Sequence, residues 1–200
     1  MFNLQNTIKI NGNEYEIATD FRIWLKFQKL IQQLKDNEES FYKLLSFFLE
    51  INLDFQINHL DETFKQVIEF FAYENNTNKS SGISTEKVFD FEKDEKYIYS
   101  AFLQEYNIDL YDIDYLHWHK FKSLLQSLSD NCQLTKIIQY RSIDISKMDK
   151  EQKKFYKKMK EIYSLDDKKE VMTTTEYHNN IRDKINKRFK EVEELAKKEV

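Results

Sequence analysis

A 200-residue chain with no proline and only two glycines has few ways to turn tightly. Helix interiors exclude both residues, whereas hairpins, bulges and strand-to-helix turns often need them. Such a chain predicts helices joined by connections rich in Asn, Asp and Ser. Gly12 and Gly82 alone cannot write GxGxxG or GxxxxGK[ST], so Rossmann and P-loop phosphate cradles are excluded. With 40% hydrophobic and 15% aromatic residues there is material for a sizeable, ring-rich core. A net charge of −4 sets up no global field for nucleic acid or membrane.

Cys132 is the only cysteine, which rules out an internal disulfide and a Cys-based zinc site. The N-terminus, Met1-Phe2-Asn3-Leu4-Gln5, has neither the basic region nor the apolar stretch of a signal peptide. The longest apolar cluster, around Leu44 to Leu49, is far shorter than a membrane span.

Hydropathy phase divides the chain. Ile8, Ile10, Tyr15 and Ile17 alternate with polar residues across Asn11-Gly12-Asn13, the pattern of a β-hairpin. Thr19 or Asp20 can cap a helix over 21–35 that presents Trp24, Phe27, Ile31 and Leu34 on one face. A helix over 39–51 is apolar nearly all round and predicts a buried central element. Leu60, Phe64, Val67, Ile68 and Phe71 repeat at the spacing of a third helix. The pattern stops at Glu74–Lys87, which reads as a linker. Beyond it, helices are expected over 91–106 with Asn107 as left-handed cap, over 113–129, and around Leu134, Ile137 and Ile138. Another starts at Asp149 with Gln152 and is expected to bury Phe155, Met159, Ile162 and Tyr163. A last helix runs from Glu176 to the end.

The expected fold is therefore mainly α, a helical body with a small N-terminal β-hairpin and a C-terminal amphipathic helix. Its segments are 1–73, hairpin plus helices; 74–87, a flexible linker; 88–165, a helical core region; and 166–200, the C-terminal helix.

No constellation carries catalysis. His117 and His119 flank Trp118 inside the expected 113–129 helix, where an i, i+2 pair points to separate faces, and HExxH is absent. With His59 and His178 they read as surface or hydrogen-bonded residues, and neither metal nor cofactor is expected. Asp109, Asp112 and Asp114 could do acid–base work in a cleft, but between two helices they read as turn and cap formers. No GxSxG setting surrounds any serine, so the protein is expected not to be an enzyme.

Two binding faces do stand out. Lys136 to Lys160 holds nine Lys/Arg against three Asp/Glu, and Lys153, Lys154, Lys157 and Lys158 flank Phe155 and Tyr156 as a candidate basic face. A single-strand binder interleaves rings and cations in this way, but so does an amphipathic helix with a solvated basic side, and the second reading is preferred. Ile181, Ile185, Phe189, Val192 and Leu195 draw one narrow apolar stripe, a candidate partner-binding seam whose alternative is folding back on the protein's own body.

From Phe89 onward the order of residues resembles a known family. Phe89-Asp90-Phe91-Glu92, Tyr97-Ile98-Tyr99-Ser100-Ala101-Phe102 and Tyr106-Asn107-Ile108-Asp109-Leu110 are followed by Asp114-Tyr115-Leu116-His117-Trp118, Phe121-Lys122-Ser123-Leu124-Leu125 and Leu128-Ser129. Then come Tyr140-Arg141, Ile143-Asp144, Ile145-Ser146-Lys147 and Tyr163-Ser164-Leu165. With Ile10-Asn11-Gly12, Thr19-Asp20-Phe21-Arg22 and Trp24, these resemble a phage family called gene product fifteen, over most of residues 8–165. His119 departs from it, standing where a second Trp is expected, and its surroundings should be the more polar for it. The resemblance implies a gene in the tail region of long, non-contractile-tailed phages and prophages of low-GC Gram-positive bacteria. By analogy it implies a tail assembly factor, chaperone-like, that binds the tape measure or another tail protein in the host bacterial cytoplasm. The alternative is a structural component of the virion tail. Self-association is allowed, membrane association is not expected, and nucleic-acid binding is the weakest reading.

Overall fold

The computed structural model describes residues 3–35, 37–53, 59–72 and 88–165, with Asp183 and Lys187. Linker 74–87 lies outside the described residues, as does the C-terminal helix apart from those last two. The described elements are mainly helical: β1 (Thr7–Ile10), β2 (Asn13–Glu16), α1 (Phe21–Gln33), α2 (Glu38–Glu50), α3 (Leu60–Ala72), α4 (Glu95–Tyr106), α5 (Trp118–Gln126), α6 (Gln133–Ser142) and α7 (Lys150–Ile162). They fall into two compact units. One takes the described residues up to Ala72 together with Tyr115–His119; the other takes those from Val88 to Asp114 and from Lys120 to Leu165.

In the first unit, Asn11 (φ 49°) and Gly12 (φ 77°) supply the two left-handed residues that a tight antiparallel turn needs. They set the register Ile8↔Tyr15 and Ile10↔Asn13. Ile8 and Ile10 are buried, and β1 packs against α3, which gives the two-stranded hairpin the apolar support it lacks alone. Asp20 caps α1 by accepting from the Arg22 backbone N–H at 3.0 Å. The core is a ring cluster: Trp24 lies 4.5 Å from Phe70 and 5.9 Å from Phe47, and Phe27 stacks on Phe47 at 4.6 Å. The Trp24 indole N–H is satisfied by the Ala18 carbonyl at 2.9 Å.

The chain returns to this unit at Tyr115–His119, and here expectation and structure part. The helix expected over 113–129 begins only at Trp118 and ends at Gln126. Its first expected turn is non-helical, because the edge at Thr19–Phe21 takes its backbone: Phe21 N–H donates to Leu116 O at 2.9 Å, and Trp118 N–H to Thr19 O at 2.7 Å. These long-range bonds outweigh local helical phase. Helix α2 also departs from expectation. Leu44, Phe47 and Phe48 are buried, yet Tyr42 and Leu49 are 64% and 61% exposed, so the element is two-faced rather than central.

The second unit is built from α4, the later part of α5, α6 and α7. Phe121 of α5 stacks on Phe102 of α4 at 5.1 Å. Asn107 (φ 53°) ends α4 in the left-handed conformation expected of it. α6 packs on both α4 and α7. Cys132 caps α6, its Sγ accepting from Thr135 N–H at 3.4 Å. Beneath these helices lies a buried ion pair. Arg141 forks onto Asp94, Nη1 to Oδ2 at 2.7 Å and Nη2 to Oδ1 at 2.8 Å, and also donates to the carbonyls of Val88 (3.0 Å) and Tyr163 (2.6 Å). Asp94 occupies the cap position of α4 without capping it, since its carboxylate also accepts from Asp90 N–H at 3.0 Å.

Candidate partner-binding face

Helix α7 draws together the features a binding face requires. Asp149 Oδ1 accepts from both Glu151 and Gln152 N–H at 2.9 Å, which fixes its start. Its end is fixed by the Arg141 bond to the Tyr163 carbonyl. Between them lie six lysines and two glutamates.

The expected burial of Phe155 and Ile162 is overturned. No residue of α7 is buried; Phe155 is 50% exposed and Ile162 is 55% exposed. Turning each residue by about 100° gives the reason. The apolar arc of α7 runs from Ile162 and Phe155 through Met159 to Tyr163 and Tyr156. Tyr140 of α6 covers the arc from one side: it stacks on Tyr163 at 5.9 Å, approaches Tyr156 at 6.2 Å and meets Phe155 edge-on at 6.3 Å. Met159 and Tyr163 are half-buried as a result. Phe155, touched on one side by Tyr140 and Tyr156, and Ile162, two turns on, stay half exposed.

The four lysines of the candidate basic face lie in two adjoining rows on α7. Lys154 and Lys158 share the row beside the Phe155–Ile162 edge, and Lys153 and Lys157 form the adjoining row round the helix. Asp144 draws on the second group. Its carboxyl is held below the ordinary carboxylate range, first by the backbone and side chain of Ser146, then by the charges of Lys160 and Lys153. Lys154 and Lys158 are therefore the cations that rim the apolar edge. The candidate stripe Ile181, Ile185, Phe189, Val192 and Leu195 lies outside the described residues.

The histidines are placed differently from expectation. His117 precedes α5 rather than lying within it, and it bridges to Asp20. The His117 and His119 rings are thus only 5.0 Å apart, and both are 1% exposed. Each meets a backbone carbonyl through Nε2, His117 that of Gln5 at 3.0 Å and His119 that of Phe70 at 2.8 Å. Trp118 Nε1 donates to the neighbouring Phe71 O at 2.9 Å. Two carbonyls in the last turn of α3 are therefore met by consecutive side chains. His119 lies over the Phe70 ring at 4.2 Å, so its surroundings combine an aromatic wall with polar contacts. Among the described residues there is no group of three His, Cys, Asp or Glu that could hold a metal ion. Asp109 forms a turn, accepting from Tyr111 N–H at 2.9 Å.

Sequence reading missed the Arg141–Asp94 pair, although a signal for it was present. Arg141 falls in helical phase with Leu134 and Ile137, both buried, and a cation in an apolar phase needs a buried partner.

No helix among the described residues is long and apolar enough to cross a membrane. No curated protein and no solved structure matches the chain. The family model described as Bacteriophage Gp15 protein matches residues 2–165. That span takes in the capped Asp20, the Tyr115–His119 return, the buried Arg141–Asp94 pair and all of α7, and on it the chain belongs to the bacteriophage Gp15 protein family.

Proposed function

We propose that this phage protein is a tail assembly factor that binds another tail protein, with the tape measure protein as its partner, and that it performs no catalysis. The observation that carries the reading is the half-exposed apolar edge of α7. Among the described residues eight large aromatic and several aliphatic side chains are under 2% exposed, while Phe155 and Ile162 stay half in water. They are aligned on one helix and rimmed by Lys154 and Lys158. An apolar edge with a charged rim suits helix-against-helix capture of an amphipathic segment. Removing that surface from water on both partners is the driving term, and the lysines select for acidic flanks on the segment captured. Family membership supports a phage role, and the resemblance to tail-region proteins supports the tail. The proposed site of action is the host bacterial cytoplasm, before the tail is complete.

Co-expression of the tagged chain with the tape measure protein of the same phage tests the reading. The two should co-purify in a fixed ratio. Recovery of the chain alone, beside soluble tape measure protein, would refute it. Mass spectrometry of purified particles tests chaperone action against the structural alternative. A chaperone is depleted from particles relative to the lysate, whereas a tail component is enriched.

A further inference from the structure

From Ser142 to Leu165 no residue of the second unit is buried. The neighbouring helices differ: α4 sets Ile98, Ala101 and Phe102 in the core, and α6 sets Leu134, Ile137 and Arg141 there. Helix α7 and the connection leading into it therefore lie on the body rather than in it. Two adjacent residues of α6 hold them. Arg141 precedes the stretch and, through Nε, also grips its far end at the Tyr163 carbonyl, 2.6 Å away. The guanidinium is itself locked on buried Asp94, so both ends of the stretch are fixed at one point. Further contacts gather at that end, where the Tyr163 ring meets Tyr97 at 6.5 Å and its hydroxyl accepts from Gln133 at 3.4 Å. Tyr140 holds the middle, with ring contacts to Phe155 at 6.3 Å and Tyr156 at 6.2 Å. The charge attraction of Asp144 for Lys153 and Lys160 lies within the stretch and travels with it.

The middle is built to come away. Phe155 is already half in water, and the cost of opening a segment follows the apolar contact it gives up. Lys150, Lys154 and Lys158 follow at i, i+4, as do Lys153 and Lys157, and like charges at that spacing oppose an unsupported helix. At 13 residues α7 also has the length at which isolated helices are marginal in water. We propose that Ser142–Leu165 is a strap that lifts from α6 while both its ends stay fixed at Arg141, with Tyr140 as the latch. The lifted strap presents Tyr156 and Met159 to a captured segment beside Phe155 and Ile162, a widening of the edge that rests on the capture reading above. The lifting itself does not rest on it, and the purified chain suffices to measure it.

Hydrogen exchange of the full chain, followed by mass spectrometry, should find α7 amides exchanging at least about a hundredfold faster than those of α4 and α6. Tyr140→Ala should speed α7 about tenfold further and leave α4 and α6 at the parent's rates. Tyr140→Phe, which keeps the ring, should match the parent. Where the lifted state is the one that captures, an open population about tenfold larger tightens capture of the tape measure protein by a similar factor. An α7 as protected as α4 overturns the strap. So does a Tyr140→Ala chain whose α7 is unchanged, or whose three helices speed up together. Faster α7 exchange with capture no tighter overturns the strap's use in binding. A parent that captures no tape measure protein removes the capture reading instead, and the lifting is then decided by exchange alone.

Discussion

Arg141 is the residue on which the second unit depends most. Its guanidinium is 8% exposed, Asp94 is fully buried, and the fork between them is geometrically complete. Arg141→Ala leaves a buried carboxylate without its cation and should cost about 3–5 kcal/mol by chemical denaturation. Asp94→Ala with Arg141→Met should cost less than the two single changes combined, because neither charge is then stranded. In the first unit, Trp118→Phe deletes the donor to the Phe71 carbonyl and should cost about 1–3 kcal/mol. Asp20 gives a pH signature. Burial pushes its carboxyl up, but bonds from the Arg22 side chain and backbone and the Leu116 backbone, with the Arg22 charge, bring it below the usual range. A depressed folded-state value stabilises fully above the unfolded value, and the contribution is lost as pH falls through the folded one. Asp20→Asn should therefore flatten the loss of stability between about pH 5 and about pH 3, measured by urea titration at each pH.

At the scale of elements, local chemistry was easy to read and tertiary competition was not. The Asn11-Gly12 turn, the Asp20 and Asp149 caps and the Asn107 stop were legible because each depends on its own few residues. Asn107 can be tested directly. Asn107→Gly should keep or raise stability, whereas Asn107→Ala should lower it by about 1 kcal/mol, since a Cβ without a polar group resists φ near +53°. The start of α5 was illegible, because an apolar phase through Ile113 and Leu116 carries no mark of the distant Thr19–Phe21 backbone that claims it. The outer face of α2 and the edge of α7 were misread for a related reason. Periodicity shows how wide an apolar arc is, not how much of it a neighbour covers. Both arcs are wider than the neighbours that meet them, and on α7 that surplus is the candidate interface.

For the molecule as a whole, the mainly helical class and the family were legible from order-specific blocks spread along the chain, and the family match over residues 2–165 agrees with them. The proposed binding face was only half legible. The lysines of α7 stood out in the sequence, but Phe155 and Ile162 had been assigned to a core they do not enter. Their exposure is what the proposed capture face rests on. The direct test of that job compares the parent chain with Phe155→Glu/Ile162→Glu in co-purification with the tape measure protein. Both positions are at least half exposed, so the variant should keep the parent's melting temperature to within a few degrees. If α7 is the capture face, the folded variant recovers less than about a tenth of the tape measure protein that the parent does. A folded variant that co-purifies with it as fully as the parent would contradict the assignment of capture to α7.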